Sequence, residues 1–122
     1  LCYSVAAIYF KRGNYTKTRQ YANKALSYNS KYGDPHIIIA QCYANGPKWS
    51  NDPFENACVY YLCLDRLDRA KAVDPSCKRE ADRFAKAYED NLPSSNEIFM
   101  RGYTKGKVIN IGGWINETTK VR

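Results

Sequence analysis

The feature that most constrains the fold of this chain is an internal similarity that recurs after 34 residues. Residues 5–9, with the sequence VAAIY, align with residues 39–43, which read IAQCY. A third similar segment, FAKAY at residues 84–88, begins 45 residues after the second. Such periods are typical of stacked repeats, because one repeat cannot bury its apolar face alone and packs on its neighbours. The sequence therefore predicts a helical-repeat array of mainly α structure.

The second helices of the predicted repeats show the same offset, since Ala25 and Ala70 also lie 45 residues apart. One 11-residue insertion between Tyr43 and Ala70 explains both larger spacings. The segment 45–53 is rich in residues that interrupt helices, and it is the expected position of the insertion. We therefore predict approximate copies at 1–33, at 34–76 with the insertion near 46–56, and an incomplete copy at 77–103.

Capping residues predict several helix boundaries. Asp34-Pro35 and Asp52-Pro53 each offer an acidic N-cap followed by proline at the first helical position. Ser94 and Glu97 match a capping box, which predicts a short helix through about Met100.

Residues 104–122 differ from the helical part because they are rich in β-branched residues and glycine, and we predict a β-hairpin or an extended tail there. Gly112-Gly113 and Asn116-Glu117 are alternative turns, which place Trp114 in different pairings. An isolated hairpin is marginal in water, so we expect it to dock, either as a cap on its own array or on a neighbouring chain. The apolar residues that such a cap would cover are Phe84, Tyr88 and Phe99.

The pattern of residues 1–91 resembles the tetratricopeptide repeat (TPR). The small residues that let paired helices approach in that family match Ala6, Ala25, Ala40, Ala70 and Ala85, and its aromatic at the end of each first-helix face matches Tyr9, Tyr43 and Tyr88. Departures from the family pattern occur at Thr18, Ser30 and Cys63. With the tail included, the expected fold is a mainly α, TPR-like helical-repeat superhelix with a short C-terminal β-hairpin.

Three segments resemble, more specifically, the C-terminal region of uncharacterised TPR proteins from Gram-negative bacterial envelopes. These segments are ACVYY at 57–61, VDPS at 73–76 and GGWINETT at 112–119. The resemblance implies a bacterial protein of the periplasm or cell envelope and leaves a cytoplasmic location open. It implies no particular activity.

In TPR proteins the first helices line a concave groove that binds other proteins or peptides. The resemblance therefore implies a non-catalytic protein- or peptide-binding scaffold. By the family's register, the groove residues are Tyr3, Ala7, Phe10, Ile37, Gln41, Asn45, Arg79, Asp82, Arg83 and Lys86.

Three of these groove residues, Arg79, Arg83 and Lys86, lie at helical spacing on one face and are expected to form a basic strip that holds a carboxylate. The alternative is that the two arginines pair within their own helix, with Glu80 or Asp82. In chaperone-binding TPR domains, basic residues at the two arginine positions complete a carboxylate clamp. The other clamp positions are occupied here by different residue types, namely Tyr3, Ala7 and Ile38.

Candidate catalytic and metal-binding groups are few. The sole histidine, His36, lies at the start of a predicted helix, where packing between repeats is its expected role. The five cysteines lack Cys-x-x-Cys spacing, and we expect them to be small buried side chains, with a disulfide as the alternative. Gly112-Gly113 lacks the spacing of a phosphate-binding loop. We therefore expect no enzyme activity, no cofactor and no metal site.

The formal net charge of +7 is unevenly distributed along the chain. Residues 1–33 carry six Lys or Arg and no acidic residue, whereas residues 34–97 carry eight against eleven. Basic ends attract nucleic acid, so a nucleic-acid-binding helical repeat is the alternative function, although a solvated helix face gives the same count. The longest apolar run, residues 37–40, is too short to predict a membrane span.

Overall fold

The computed structural model describes all 122 residues, which form a mainly helical chain with one two-stranded antiparallel sheet. The helices are α1 (Cys2–Lys11), α2 (Tyr15–Tyr28), α3 (Asp34–Asn45), α4 (Pro53–Ala57), α5 (Val59–Val73), α6 (Lys78–Glu89) and α7 (Ser95–Met100). A short 3-10 helix, Pro75–Cys77, leads into α6, and the strands are β1 (Val108–Ile111) and β2 (Glu117–Lys120). At this level, the prediction of a mainly α chain with a C-terminal hairpin is confirmed.

The five long helices pack on one another in chain order, α1 on α2, α2 on α3, α3 on α5 and α5 on α6. Helix α3 lies between α2 and α5, and every residue from 35 to 40 is buried. Burial on two sides explains why this helix is apolar nearly all round, whereas a surface helix carries a single apolar stripe.

Small side chains occupy the places where these helices meet. Of the five alanines that the repeat pattern selects, four are buried and Ala85 is half-buried; the buried ones are Ala6, Ala25, Ala40 and Ala70. Because added methylene groups in such a tight contact push the helices apart, alanine at these positions allows the close approach.

The segment between α3 and α5 contains a loop and the short helix α4. Helix α4 begins as its capping residues predict, because the Asp52 carboxylate accepts a hydrogen bond of 3.0 Å from the Phe54 amide and Pro53 occupies the first helical position. Phe54 is buried and anchors the segment on the core.

The N-cap prediction for Asp34 is wrong. The Gly33 carbonyl accepts the first helical hydrogen bonds, from the amides of His36 and Ile37, so Gly33 is the N-cap and Asp34 already belongs to the helix. No side chain caps this end of α3. Asp34 still complements the positive end of the helix dipole, because it lies in the first turn.

The capping box at the start of α7 is confirmed. Ser94 Oγ accepts a hydrogen bond of 3.1 Å from the Glu97 amide, and Glu97 Oε1 accepts one of 3.0 Å from the Ser94 amide. This reciprocal pair fixes the start of a six-residue helix that would be marginal by itself.

The hairpin turn differs from both sequence alternatives. Val108 lies opposite Lys120 and Ile111 opposite Glu117, which leaves residues 112–116 as the loop. The chain reverses through two left-handed residues, Gly113 with φ of 60° and Asn116 with φ of 51°. Because glycine and asparagine both tolerate this conformation, the two candidate turns contribute to one longer loop.

The hairpin docks on its own array, along α2, α3 and α5. Its buried side chains are Ile111, Thr119, Ile115 and Val121. The hairpin was expected to cover Phe99 at the end of the array. This expectation is wrong, because the hairpin docks elsewhere and Phe99 remains 77% exposed. Tyr88 is buried instead against Tyr60 and Phe84, whose ring centroids lie 5.8 Å and 6.0 Å away.

Candidate functional site

A surface depression lined mostly by polar and charged side chains lies between the N-terminal ends of α3 and α6. It is a cleft of about 630 Å³ at the junction of two helix pairs, where the loop before α3 meets the turn before α6. Its lining residues are Tyr32, Asp34, Asp74, Ser76, Cys77, Arg79, Glu80 and Arg83.

Backbone contacts at the base of the cleft hold the two junctions together. The Gly33 amide donates a hydrogen bond of 2.9 Å to Asp74 Oδ2, and Asp74 Oδ1 accepts one of 3.1 Å from the Ser76 amide. The hydrogen bonds from Ser76 and then from Gly33 hold the pKa of the Asp74 carboxyl below its usual value. A Cβ atom at position 33 would lie 2.5 Å from Cys77 Sγ, so this approach requires glycine.

Two guanidinium groups on the α6 wall of the cleft form no ion pair. Arg79 and Arg83 lie one turn apart, both are exposed, and neither has a carboxylate within salt-bridge distance. Lys86 is exposed on the following turn and is also unpaired. The guanidinium of Arg83 stacks on Phe84 with its central carbon 4.7 Å from the ring centroid. These three basic side chains are therefore all exposed on α6.

The alternative of intrahelical pairing is not observed for either arginine. Asp82 instead accepts hydrogen bonds from Lys78 Nζ at 2.6 Å and from Lys71 Nζ at 2.9 Å. These contacts, first with Lys78 and then with Lys71, lower the pKa of the Asp82 carboxyl. Asp82 therefore serves the contact between α5 and α6 and does not line the cleft.

An acidic wall also lines the cleft, formed by Asp34 and Asp74 at the helix junctions and by Glu80, which follows Arg79 on α6. Tyr3 lies close to this wall and packs on Tyr32 with a centroid separation of 5.5 Å. Burial, and then the charge of Asp34, raise the pKa of Tyr3 to about 12. Both tyrosines are therefore neutral hydrogen-bond donors at physiological pH.

The remaining predicted groove residues are not brought together at this cleft. Ile37 is 3% exposed and belongs to the core, so it offers no surface to a partner. Phe10, near the C-terminal end of α1, packs edge-on against Tyr15, and Ala7 is half-buried one turn earlier. Asn45 is exposed at the far end of α3, where its side-chain amide donates to the Gln41 carbonyl at 2.8 Å. Of the predicted set, only Arg79 and Arg83 line the cleft, with Tyr3 beside it.

Sequence reasoning missed the cleft residues that lie outside the first helices, above all Tyr32 and Asp74. The available signal was the position of both residues at helix junctions. Tyr32 immediately precedes Gly33, and Asp74 immediately precedes Pro75. If the helices stacked as repeats, these two junctions would lie at the same end of the stack, so both residues were candidates for a shared surface.

The groups that would serve catalysis or metal binding are buried or isolated. Burial and then the charges of Arg66 and Arg69 lower the pKa of His36 to about 4, which leaves this buried ring neutral. All five cysteines carry free thiols, and burial raises the pKa of Cys42 to about 12 and of Cys58 to about 11, so neither is a thiolate at neutral pH. The chain contains no cluster of three His, Cys, Asp or Glu side chains placed to hold a metal ion.

No helix has both the length and the apolar character needed to cross a lipid bilayer. Comparison of the chain with models of protein families, with curated proteins and with solved structures found no match.

Proposed function

We propose that this chain is a non-catalytic binding module built from TPR-like helical repeats, and that it binds a protein or peptide segment through a single acidic group in the cleft between α3 and α6. The observation that carries this proposal is the pair of unpaired guanidinium groups, Arg79 and Arg83, at the edge of a cleft of about 630 Å³. Arginine presents a planar fork of donors that matches a carboxylate, and two forks one turn apart match an acidic side chain or a terminal carboxylate.

The acidic wall favours a particular kind of segment. Asp34 and Glu80 repel a second acidic group that approaches the same cleft, and they attract a lysine, an arginine or an amino terminus. We therefore expect the bound segment to place one acidic group beside a neutral or basic residue. A run of consecutive acidic residues is expected to bind less well.

The proposal is tested by selecting peptides from a random displayed library on the intact chain. Selected peptides are expected to share one acidic position, and Arg83→Glu is expected to weaken their binding by about 1–3 kcal/mol, measured by calorimetry, because a charge-assisted contact becomes a repulsive one. The melting temperature should hardly change, since Arg83 is exposed and forms no ion pair.

Arg12→Glu is the matched control, because Arg12 is also exposed and unpaired but lies at the opposite end of α1 from Tyr3. Peptides that bind both charge-reversed variants equally well, or a selection that yields no acidic position, would sink the proposal.

A second candidate function rests on the basic first third of the chain. Lys11, Lys24 and Lys31 are exposed and form no ion pair, which favours a surface that attracts polyanions. The rings of Tyr9 and Tyr21, however, stack on each other at 5.5 Å, and the ammonium groups of Lys17 and Lys24 lie over them, so neither ring is open to stack with a base. Nucleic-acid binding through this surface would weaken steeply with rising salt, and sub-micromolar, salt-sensitive binding would favour this function over the first.

A further inference from the structure

A second surface depression lies between the N-terminal end of α1 and the C-terminal end of α2. It has a volume of about 530 Å³, and we call it the apolar pocket because most of the residues that line it are hydrophobic. Tyr3, Ala25, Tyr28 and Tyr32 are among these residues. Tyr28 is 77% exposed, so its ring is available to a ligand that enters the pocket.

The apolar pocket shares a wall with the cleft between α3 and α6. Tyr32 lines both depressions. Tyr3 lines the apolar pocket and packs on Tyr32 with the ring centroids 5.5 Å apart. After burial, the charges of Asp34 and Glu80 contribute to the raised pKa of Tyr3, and both of these carboxylates line the cleft. The two depressions are therefore neighbours that meet at Tyr3 and Tyr32.

The two depressions differ in the side chains that they accept. The cleft is lined by two arginines and three acidic residues, whereas Lys24 is the one charged side chain that lines the apolar pocket. Residues 1–33, which supply all the residues of this pocket, contain no acidic residue. The pocket thus disfavours a basic side chain. Its three tyrosine rings offer faces and edges against which another aromatic ring packs well.

We propose that the segment bound in the cleft also carries an aromatic side chain, at a fixed spacing from its acidic group, and buries this side chain in the apolar pocket. The inference rests on the proposed function, because the acidic group at Arg79 and Arg83 brings the segment to the wall formed by Tyr3 and Tyr32. A contact between exposed charges contributes little affinity by itself. A buried aromatic anchor supplies most of the remaining affinity, since such anchors dominate the energetics of interfaces.

The test applies the selection of displayed random peptides to the intact parent chain and to two variants. Peptides selected on the parent chain are expected to share an aromatic position at one spacing from the acidic position. Tyr28→Ser is expected to weaken the aromatic preference and to keep the acidic one, because it changes the apolar pocket alone. Phe99→Ser is the matched control, since Phe99 is also 77% exposed but lines neither depression, and it should yield the same motif as the parent chain.

One peptide selected on the parent chain then provides affinities for a double-mutant cycle. Replacement of its aromatic residue by serine should weaken binding to the parent chain about tenfold, and binding to Tyr28→Ser about threefold or less, because one partner of the ring is already lost. Arg83→Glu should weaken the binding of both peptides by the same factor, since it acts on the acidic group.

Tyr28 and Phe99 are exposed, so circular dichroism should show unchanged folding in both variants. Selected peptides with an acidic position and no aromatic position would overturn this inference and leave the proposed function standing. An aromatic position without an acidic one would overturn both. An equal loss for the serine peptide on the parent chain and on Tyr28→Ser would also overturn the inference, because the ring would then bind outside the apolar pocket.

Discussion

His36 is the one buried side chain of the core whose ordinary pKa, 6.5, lies in the mildly acidic range. It is buried beside Arg66 and Arg69, and its Nδ1 atom has no hydrogen-bond partner. Protonation would place a positive charge near two others in a buried site. The pKa of His36 is accordingly lowered from 6.5 to about 4, first by burial and then by the two arginines.

This shift predicts a loss of stability on mild acidification. Between pH 6.5 and about 4, His36 is protonated in the unfolded chain and neutral in the folded chain. The free energy of unfolding therefore falls as the pH decreases through this window. We expect a loss of about 2–3 kcal/mol from this residue. His36→Phe keeps a planar aromatic ring and removes the titration, so the melting temperature of this variant should fall less with decreasing pH than that of the parent chain.

The carboxylates titrate alike in both proteins, which isolates the histidine in that comparison. Parallel melting curves for the two proteins across the window would show that His36 is not the residue responsible.

At the scale of elements, the hairpin is fastened to the helices by one arginine of α2. Arg19 donates to the carbonyls of Trp114 and Ile115, each at 2.8 Å, and its guanidinium carbon lies 5.5 Å from the Trp114 ring centroid and 5.8 Å from that of Tyr43. One side chain thus satisfies two carbonyls of the hairpin loop. Loss of an interaction of this kind leaves buried acceptors without partners, which costs more than the bond itself contributes.

Arg19→Ala is therefore expected to destabilise the chain by about 2–3 kcal/mol and to loosen the hairpin. Hydrogen exchange of the amides in 112–120 should accelerate more than exchange in α5, because the hairpin then opens without unfolding the helices. Lys24→Ala, on an exposed part of the same helix, is the control and should change neither quantity. Unchanged exchange in the hairpin of Arg19→Ala would show that its apolar contacts alone hold it.

The limits of sequence reasoning become clear at the scale of the whole molecule. Local rules predicted the capping box at Ser94 and the start of α4 at Asp52, because each depends on residues within one helical turn. The place where the hairpin docks was not predictable, since its contacts join residues as far apart as Arg19 and Ile115. No local pattern encodes such a pair.

The candidate site also contains some residues that local sequence patterns predict and others that only tertiary packing determines. Helical spacing correctly placed Arg79 and Arg83 on one exposed face. The prediction that Ile37 lines the groove is wrong, because Ile37 is buried. Packing against both α2 and α5 sets the rotation of α3 about its axis, and the sequence of α3 alone does not reveal that rotation. Tyr32 lines the cleft because two helix junctions that are far apart in sequence lie in contact. The hydrogen bond from the Gly33 amide to Asp74 joins these junctions.

The hairpin is predicted to be part of the folding unit of the whole molecule. Deletion of residues 104–122 would remove three apolar side chains that are buried in the main core, Ile111, Ile115 and Val121. It would also expose the helix surface around Tyr43 and Asp65. There the Tyr43 hydroxyl donates to Glu117, and the Thr119 hydroxyl donates to Asp65. At about 1.5–3 kcal/mol for each buried apolar side chain, the loss approaches the entire stability of a small domain.

We therefore expect the truncated chain to melt at a much lower temperature or to aggregate, as measured by calorimetry and by light scattering coupled to size-exclusion chromatography. Replacement of Asn110 and Thr118, a pair on the exposed face of the hairpin, by serine is the control, and it should leave both measurements unchanged because neither side chain contacts the core. A truncated chain that stays monomeric and equally stable would show that the helices fold without the hairpin. The apolar face of the hairpin would then have to serve a partner, because the helices would not need it.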